Sequence, residues 1–238
     1  DGSTWNGGFT GVWHLNSTNV TDSTATPQNT TSNATVGSGI VGSALLHNGT
    51  SQHAIIPNAA DVNVANNFEL SGWFKMAPGD KANWRTLWAK ETDSGTRNWW
   101  LSVNGNGQVW WTSSAGTDIT SPTDLADNQW HHVSAVNDGS YSRLYIDGVQ
   151  AGTDNAPSEE QTTWAVRLGS ENSTRWWKGS LDEFRISNVK RSAAWVRATY
   201  DNIHSASWVR SGNVTPNAAG FAPMVSTRAA SGIGTTTA

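Results

Sequence analysis

The stretch Trp99-Trp100-Leu101-Ser102-Val103-Asn104-Gly105-Asn106-Gly107-Gln108-Val109-Trp110-Trp111-Thr112 holds two apolar runs around a turn. Successive side chains of a strand point to opposite faces, and Asn-Gly supplies the positive φ values of a tight hairpin. The stretch therefore predicts a β-hairpin. Leu101 and Val103 share a face with Trp99, and Val109 shares one with Trp111, which assigns Trp99 and Trp111 to a core. Trp100 and Trp110 then point outward with Ser102 and Thr112, close together across the turn.

The pattern recurs outward from this hairpin. Trp130–Val136 and Arg143–Gly148 flank Asp138-Gly139 as a second hairpin. Further strands are expected near 52–56, 67–76, 85–90, 164–168 and 180–187. An early one is expected at Val12–Leu15, and an apolar group follows a polar run at 40–46. Strands this dense, with Gly, Asn and Asp between them, predict an all-β sandwich or barrel. The spacing predicts one short C-terminal helix, from Ser192 as N-cap to Tyr200, with Trp195, Val196 and Tyr200 on one stripe. Beyond it the pattern fades, so the chain divides into a body, 1–208, and a polar tail or linker, 209–238.

Composition narrows the function. Of 238 residues, 15 are Trp, against 3 Tyr and 5 Phe, while charged residues make up only 14%. No apolar run approaches the roughly 20 residues of a membrane span, which argues against insertion. Net charge is −4 and the 15 Lys and Arg are scattered, so no basic stripe is available for nucleic acid. Cysteine is absent, which removes disulfides, thiol nucleophiles and Cys-ligated zinc. Low charge and abundant Thr, Ser and Asn suggest an extracellular or cell-surface setting.

Several segments together resemble the laminin-G-like domains of the concanavalin A-like lectin/glucanase superfamily. They are Gly11-Val12-Trp13-His14-Leu15-Asn16 with Asp22-Ser23-Thr24, Gly42-Ser43-Ala44-Leu45 with Asn48-Gly49, and Phe68-Glu69-Leu70-Ser71-Gly72-Trp73-Phe74. The remaining ones are Trp130-His131-His132-Val133 with Leu144-Tyr145-Ile146-Asp147-Gly148, and Gly179-Ser180-Leu181-Asp182-Glu183-Phe184-Arg185-Ile186. The resemblance spans about 9–203. It implies a two-sheet antiparallel jelly-roll sandwich, and no single function, because this fold hosts lectins, glycosidases, adhesion modules and spacers. It also implies a structural calcium, with Asp182 as one ligand, Asp22 as a second and carbonyls near Asn48 completing the shell. The alternatives are hydrogen bonds from backbone or arginine to Asp182, and an Asx-type turn bond at Asp22.

Catalysis finds little support. A glycosidase needs two carboxyls flanking the scissile bond, and side chains at i and i+2 share a strand face. None of the six Glu residues falls in a Glu-x-Asp-x-(x)-Glu pattern, and Asp182 and Glu183, as neighbours, face opposite ways. No Gly-x-Ser-x-Gly elbow is present. His131 and His132 also diverge on a strand, which argues against a metal pair.

The tryptophans are the stronger signal. Exposed Trp requires a reason. Trp100, Trp110 and Trp176, with Trp84 in a polar loop, are candidates for a carbohydrate platform, since a sugar ring has an apolar C–H face that stacks on indole. Arg97, Asn98 and Gln108 lie beside them as candidate hydroxyl partners. Alternatively, the tail or a neighbour covers these residues, or they form cross-strand pairs that stabilise the sheet. The expected function is a non-catalytic carbohydrate-binding or adhesion module. The alternatives are a structural subunit of a surface array, self-associating through its tail, and a glycoside hydrolase.

Overall fold

Alternation of apolar and polar residues builds two sheets from short antiparallel strands. The computed structural model describes residues 3–91, 97–113, 118–152, 163–172 and 174–204, the side chains at 3, 97 and 113 aside. The tail at 209–238 lies outside the described residues. In chain order the strands are β1 (Phe9–Trp13), β2 (Asn19–Val20), β3 (Thr30–Thr31), β4 (Thr35–Ser38), β5 (Ser43–Asn48), β6 (Ala54–Ile56), β7 (Asn67–Lys75) and β8 (Trp84–Glu91). They continue as β9 (Arg97–Asn104), β10 (Val109–Ser113), β11 (Asp118–Thr120), β12 (Trp130–Asp138), β13 (Ser142–Ile146), β14 (Val149–Gln150), β15 (Val166–Leu168) and β16 (Lys178–Ser187), followed by helix α1 (Ala193–His204).

One sheet runs β14-β13-β12-β7-β16-β5-β4, with β1 also paired to β16; the other runs β11-β10-β9-β8-β15-β6. A small β2–β3 pair stands apart. This is the expected all-β sandwich with one C-terminal helix. Its core lies between the two sheets and includes Trp13, Trp88, Trp99, Trp111, Trp177 and Phe184, each no more than 1% exposed. Trp99 and Trp111 are thus inward, as the hairpin alternation predicts. Trp13 stacks on Phe184 with ring centroids 5.4 Å apart, and Trp88 meets the same Phe184 at 4.9 Å.

A second layer covers the outer face of the eight-stranded sheet. Helix α1 packs there through Val196 against Val136 and Tyr145, and Tyr200 stacks on Trp73 at 5.7 Å. Ser192 caps the helix, its Oγ accepting from the Trp195 amide at 3.2 Å. His132 is buried under this layer, and burial pushes its imidazole down to about 3. His131 remains half-buried and bonded to Asp147 and Asp127. The adjacent histidines therefore have separate surroundings.

Strand β16 changes partner along one edge, from β5 (Lys178–Leu181) to β1 (Phe184–Ser187). A bulge at Asp182/Arg185 marks the change, and Glu183 there has a φ of 52°. Asp182 fills the gap. Its Oδ2 accepts from the amides of Ile40 and Val41 at 3.0 and 3.1 Å, and its Oδ1 from Glu183 at 2.9 Å. Gly39 makes room for it, since a Cβ there would lie 2.5 Å from Asp182 Oδ2. Burial pushes this carboxyl up to about 7 against the pull of those donors. Asp22 acts alike at the other end of β1, accepting from Val12, Thr24 and Gln28.

These donor sets do not fit a calcium ion. Three N–H dipoles directed at each carboxylate favour an anion there and oppose a cation. Among the described residues, no group of three or more His, Cys, Asp or Glu is placed to hold a metal. Asp22 and Asp182 instead tie loops to strands, the backbone alternative that the sequence left open.

Candidate functional site

The six-stranded sheet leaves its outer face free of any helix among the described residues. Strand register determines which side chains reach it. Trp110 pairs with Ser102 and Thr120, Thr112 with Trp100, and Ala89 with both Trp100 and Arg167. Trp84, at the start of β8, sits opposite Asn104. Residues of the intervening positions, such as Trp99, Leu101 and Trp111, lie in the core.

Three indoles converge on this face. Trp84 and Trp110 lie 4.5 Å apart with planes 37° from parallel; Trp100 meets Trp84 at 5.2 Å and Trp110 edge-on at 5.0 Å. The expected proximity of Trp100 and Trp110 is present. Their exposure differs, however. Trp84 and Trp110 are half-buried, whereas Trp100 is 1% exposed. It points outward but lies beneath the other two indoles, with the Arg175 guanidinium 4.8 Å above its ring. Its Nε1 donates to Thr86 Oγ1 at 2.9 Å. Trp100 is thus the foundation of the cluster, which corrects its assignment as an exposed binding residue.

Trp176 does not join the cluster. It is half-buried, and its ring lies 5.4 Å from His53 beside the β6 edge. The backbone turns at Arg175, where φ is 46°, so the two neighbours reach different places. Arg85 holds the segment, donating to the carbonyls of Trp176 and Gly49 at 2.8 and 3.1 Å. Asn98 is 1% exposed, so it does not present its amide to a ligand at the surface. Gln108 has both amide atoms engaged, its Nε2 donating to Ser121 O at 3.0 Å and its Oε1 accepting from Asn104 Nδ2 at 3.3 Å. The Arg97 side chain lies outside the described residues.

The open part of the site is a depression of about 390 Å³ at the turn end of the hairpin, lined by Asn83, Trp84, Asn104, Gly105 and Asn106. Asn83 and Asn106 are exposed, and their side-chain amides carry no hydrogen bond among the described residues. Asn104 instead holds the turn, its Oδ1 accepting from the amides of Asn106 and Gln108. No charged group lines the depression. Strand alternation assigns Asn104-Gly105-Asn106-Gly107 to the turn alone; the Asn repeat flanked by Trp110 was the available signal.

Two buried carboxylates near this face have partners of their own. Glu91 accepts from the Asn172 amide and lies 3.8 Å from Arg167 Nε, and Glu171 pairs with Arg175. Both are buried and each lies beside a guanidinium.

The sequence profile described as the concanavalin A-like lectin/glucanases superfamily matches residues 48–197. Domain 4 of AbnA, an extracellular arabinanase from Geobacillus stearothermophilus solved in complex with arabinotriose, is similar in structure. Its TM-score is 0.61 at 22% identity, covering 80% of this chain and 97% of that one. The binding domain of Paraclostridial Mosquitocidal Protein 1 gives 0.66 at 15% identity, with 83% and 53% covered. The botulinum neurotoxin serotype D ligand-binding domain, solved with N-acetylneuraminic acid, gives 0.63 at 14%, with 82% and 51% covered. The chain therefore spans about half the length of each toxin domain. No curated protein sequence matches it.

Proposed function

Because this chain belongs to the concanavalin A-like lectin/glucanases superfamily, a fold that hosts both binding and catalysis, we propose that it is a non-catalytic carbohydrate-binding module working outside the cell. The observation that carries this reading is the half-exposed Trp84–Trp110 pair beside a depression edged by the free amides of Asn83 and Asn106. Indole faces accept the C–H face of a sugar ring, and amides both donate to and accept from hydroxyls. Arabinotriose in the arabinanase domain and N-acetylneuraminic acid in the toxin domain support a sugar as ligand. The lack of a Glu-x-Asp-x-(x)-Glu strand in the sequence supports the non-catalytic reading.

Titration calorimetry with soluble polysaccharides tests this reading. Trp84→Ala and Trp110→Ala should each weaken binding about tenfold or more, the scale of losing one aromatic anchor, while the far-ultraviolet spectrum stays that of the parent. Reducing-sugar release from the same polysaccharides should stay at background. Unchanged affinity in both variants, or sustained sugar release, would overturn it.

A further inference from the structure

We propose that His131 is a pH-sensitive latch: as a cation it fastens the 121–129 loop, which in turn ties together the two rims of the depression beside Trp84. One rim is Asn83 and Trp84, the other Asn104, Gly105 and Asn106. Two adjacent loop residues reach both. Asp124 accepts from Lys81 Nζ at 2.6 Å, two residues before Asn83. The Leu125 amide donates to Gly107 O at 2.8 Å, one residue after Asn106. Ser121 anchors the start of the loop to the same hairpin, donating its amide to Val109 O at 2.8 Å and accepting from the Val109 amide through Oγ at 2.9 Å.

The other end of the loop meets His131, on β12. Its Nε2 lies 3.1 Å from Asp127 Oδ1, and its Nδ1 lies 2.8 Å from Asp147 Oδ2, in the turn between β13 and β14. A neutral imidazole has one N–H and one bare nitrogen, and an ionised carboxylate only accepts. Both contacts are therefore hydrogen bonds only while the ring carries its second proton. Asp147 is fixed through its other oxygen, which accepts from the His132 amide at 2.9 Å, whereas the Asp127 side chain is 50% exposed. Loss of the proton thus leaves the bare nitrogen facing Asp127, and the tie to the loop is the one that yields. The His131 side chain is 12% exposed, so water is a poor replacement partner.

Among the described residues, Asp147 and Asp127 are the charges that act on this ring. From β7 it meets the Phe74 ring at 5.8 Å; from α1, Tyr200 is the titratable group that feels Asp147. His132 points to the other face of β12 and is kept neutral by burial. Burial opposes a charge on His131 as well, but the bonds and charge of Asp147, then those of Asp127, outweigh it and raise its pKa above the ordinary 6.5. The latch is therefore complete below pH 6.5 and opens as pH climbs through the raised value. Opening is partial, since the Asn128 amide still donates to Met76 O at 2.8 Å. The bearing of the latch on a ligand rests on the reading of Trp84 and Trp110 as a sugar site; the latch itself does not.

NMR of the full chain without ligand tests the latch through two signals, the His131 ring protons and the exchange protection of the Leu125 amide. The ring should titrate above 6.5, and Asp127→Asn, at an exposed carboxylate, should lower its midpoint. Protection of Leu125, relative to the intrinsic exchange rate, should fall about threefold between about pH 6 and about pH 9, the scale of losing one partly exposed ion pair. In His131→Gln it should stay constant over that range. A ring that titrates at or below 6.5, a midpoint unmoved by Asp127→Asn, or Leu125 protection that is constant in the parent or falls equally in His131→Gln would overturn the proposal. Arabinan, added as a probe at both pH values, separates this from the sugar reading. Weaker arabinan binding at the higher pH in the parent alone is the expected result, and tight binding unchanged by pH would overturn the link between latch and rims. A latch that opens in a protein blind to arabinan and to the other polysaccharides would leave the latch standing and count against the sugar site.

Discussion

Replacing Trp100 by alanine should cost about 3–5 kcal/mol of folding stability, the usual range for removing a large buried aromatic. Its ring is 1% exposed although it faces away from the inter-sheet core. Trp84, Trp110 and Arg175 all rest on it, and its Nε1 satisfies Thr86 Oγ1, itself fully buried. The variant therefore leaves a cavity under three side chains and a hydroxyl without its donor. Sugar binding should disappear with the support of the platform. Trp110→Ala, by contrast, removes a half-exposed ring and should cost about 1 kcal/mol. Urea unfolding of the two variants separates the roles. Equal midpoints for both would mean that Trp100 is not a foundation.

The second large effect is expected at Asp182. Alanine there would strand the amides of Ile40, Val41 and Glu183 at the point where β16 exchanges β5 for β1. Each stranded buried donor costs about 1–3 kcal/mol, reduced where water reaches it, so a total loss of about 3–5 kcal/mol is expected. Asp182→Asn keeps one acceptor oxygen but turns an NH2 group toward donors, so its loss should approach that of alanine. Calcium or a chelator should shift the melting temperature of neither parent nor variant. A parent that loses stability with chelator, beside an Asp182→Ala variant that does not, would contradict the donor-set argument and restore a metal at this aspartate.

Strand alternation in the sequence identified the hairpin, its register and the inward direction of Trp99 and Trp111, because one buried face imposes a period of two. It also located β7, β8, β12, β13 and β16, where apolar runs are long. Strands β2 and β3 were hidden in a polar run, since two residues are too few to show any period, and β4 has three exposed positions out of four. At the site, alternation reported direction but not depth. Trp100 does point outward, yet its cover comes from Trp84 and Arg175, distant in the chain and brought close only by the pairing of β8 with β9 and the loop before β16. Trp176 was grouped with the cluster as the exposed neighbour of an inward Trp177, and the positive φ of Arg175 before it takes it elsewhere. Asn83 and Asn106 were passed over because an exposed turn residue carries no periodic signal.

The central claim is that the indole face of the six-stranded sheet binds sugar. Intrinsic tryptophan fluorescence of the full chain, followed while arabinan, xylan, β-glucan and mannan are added in turn, tests it most directly. Binding at Trp84 and Trp110 predicts a saturable change with at least one of them, absent in Trp110→Ala. A flat response of the folded protein to every polysaccharide, or an undiminished response in Trp110→Ala, would contradict it.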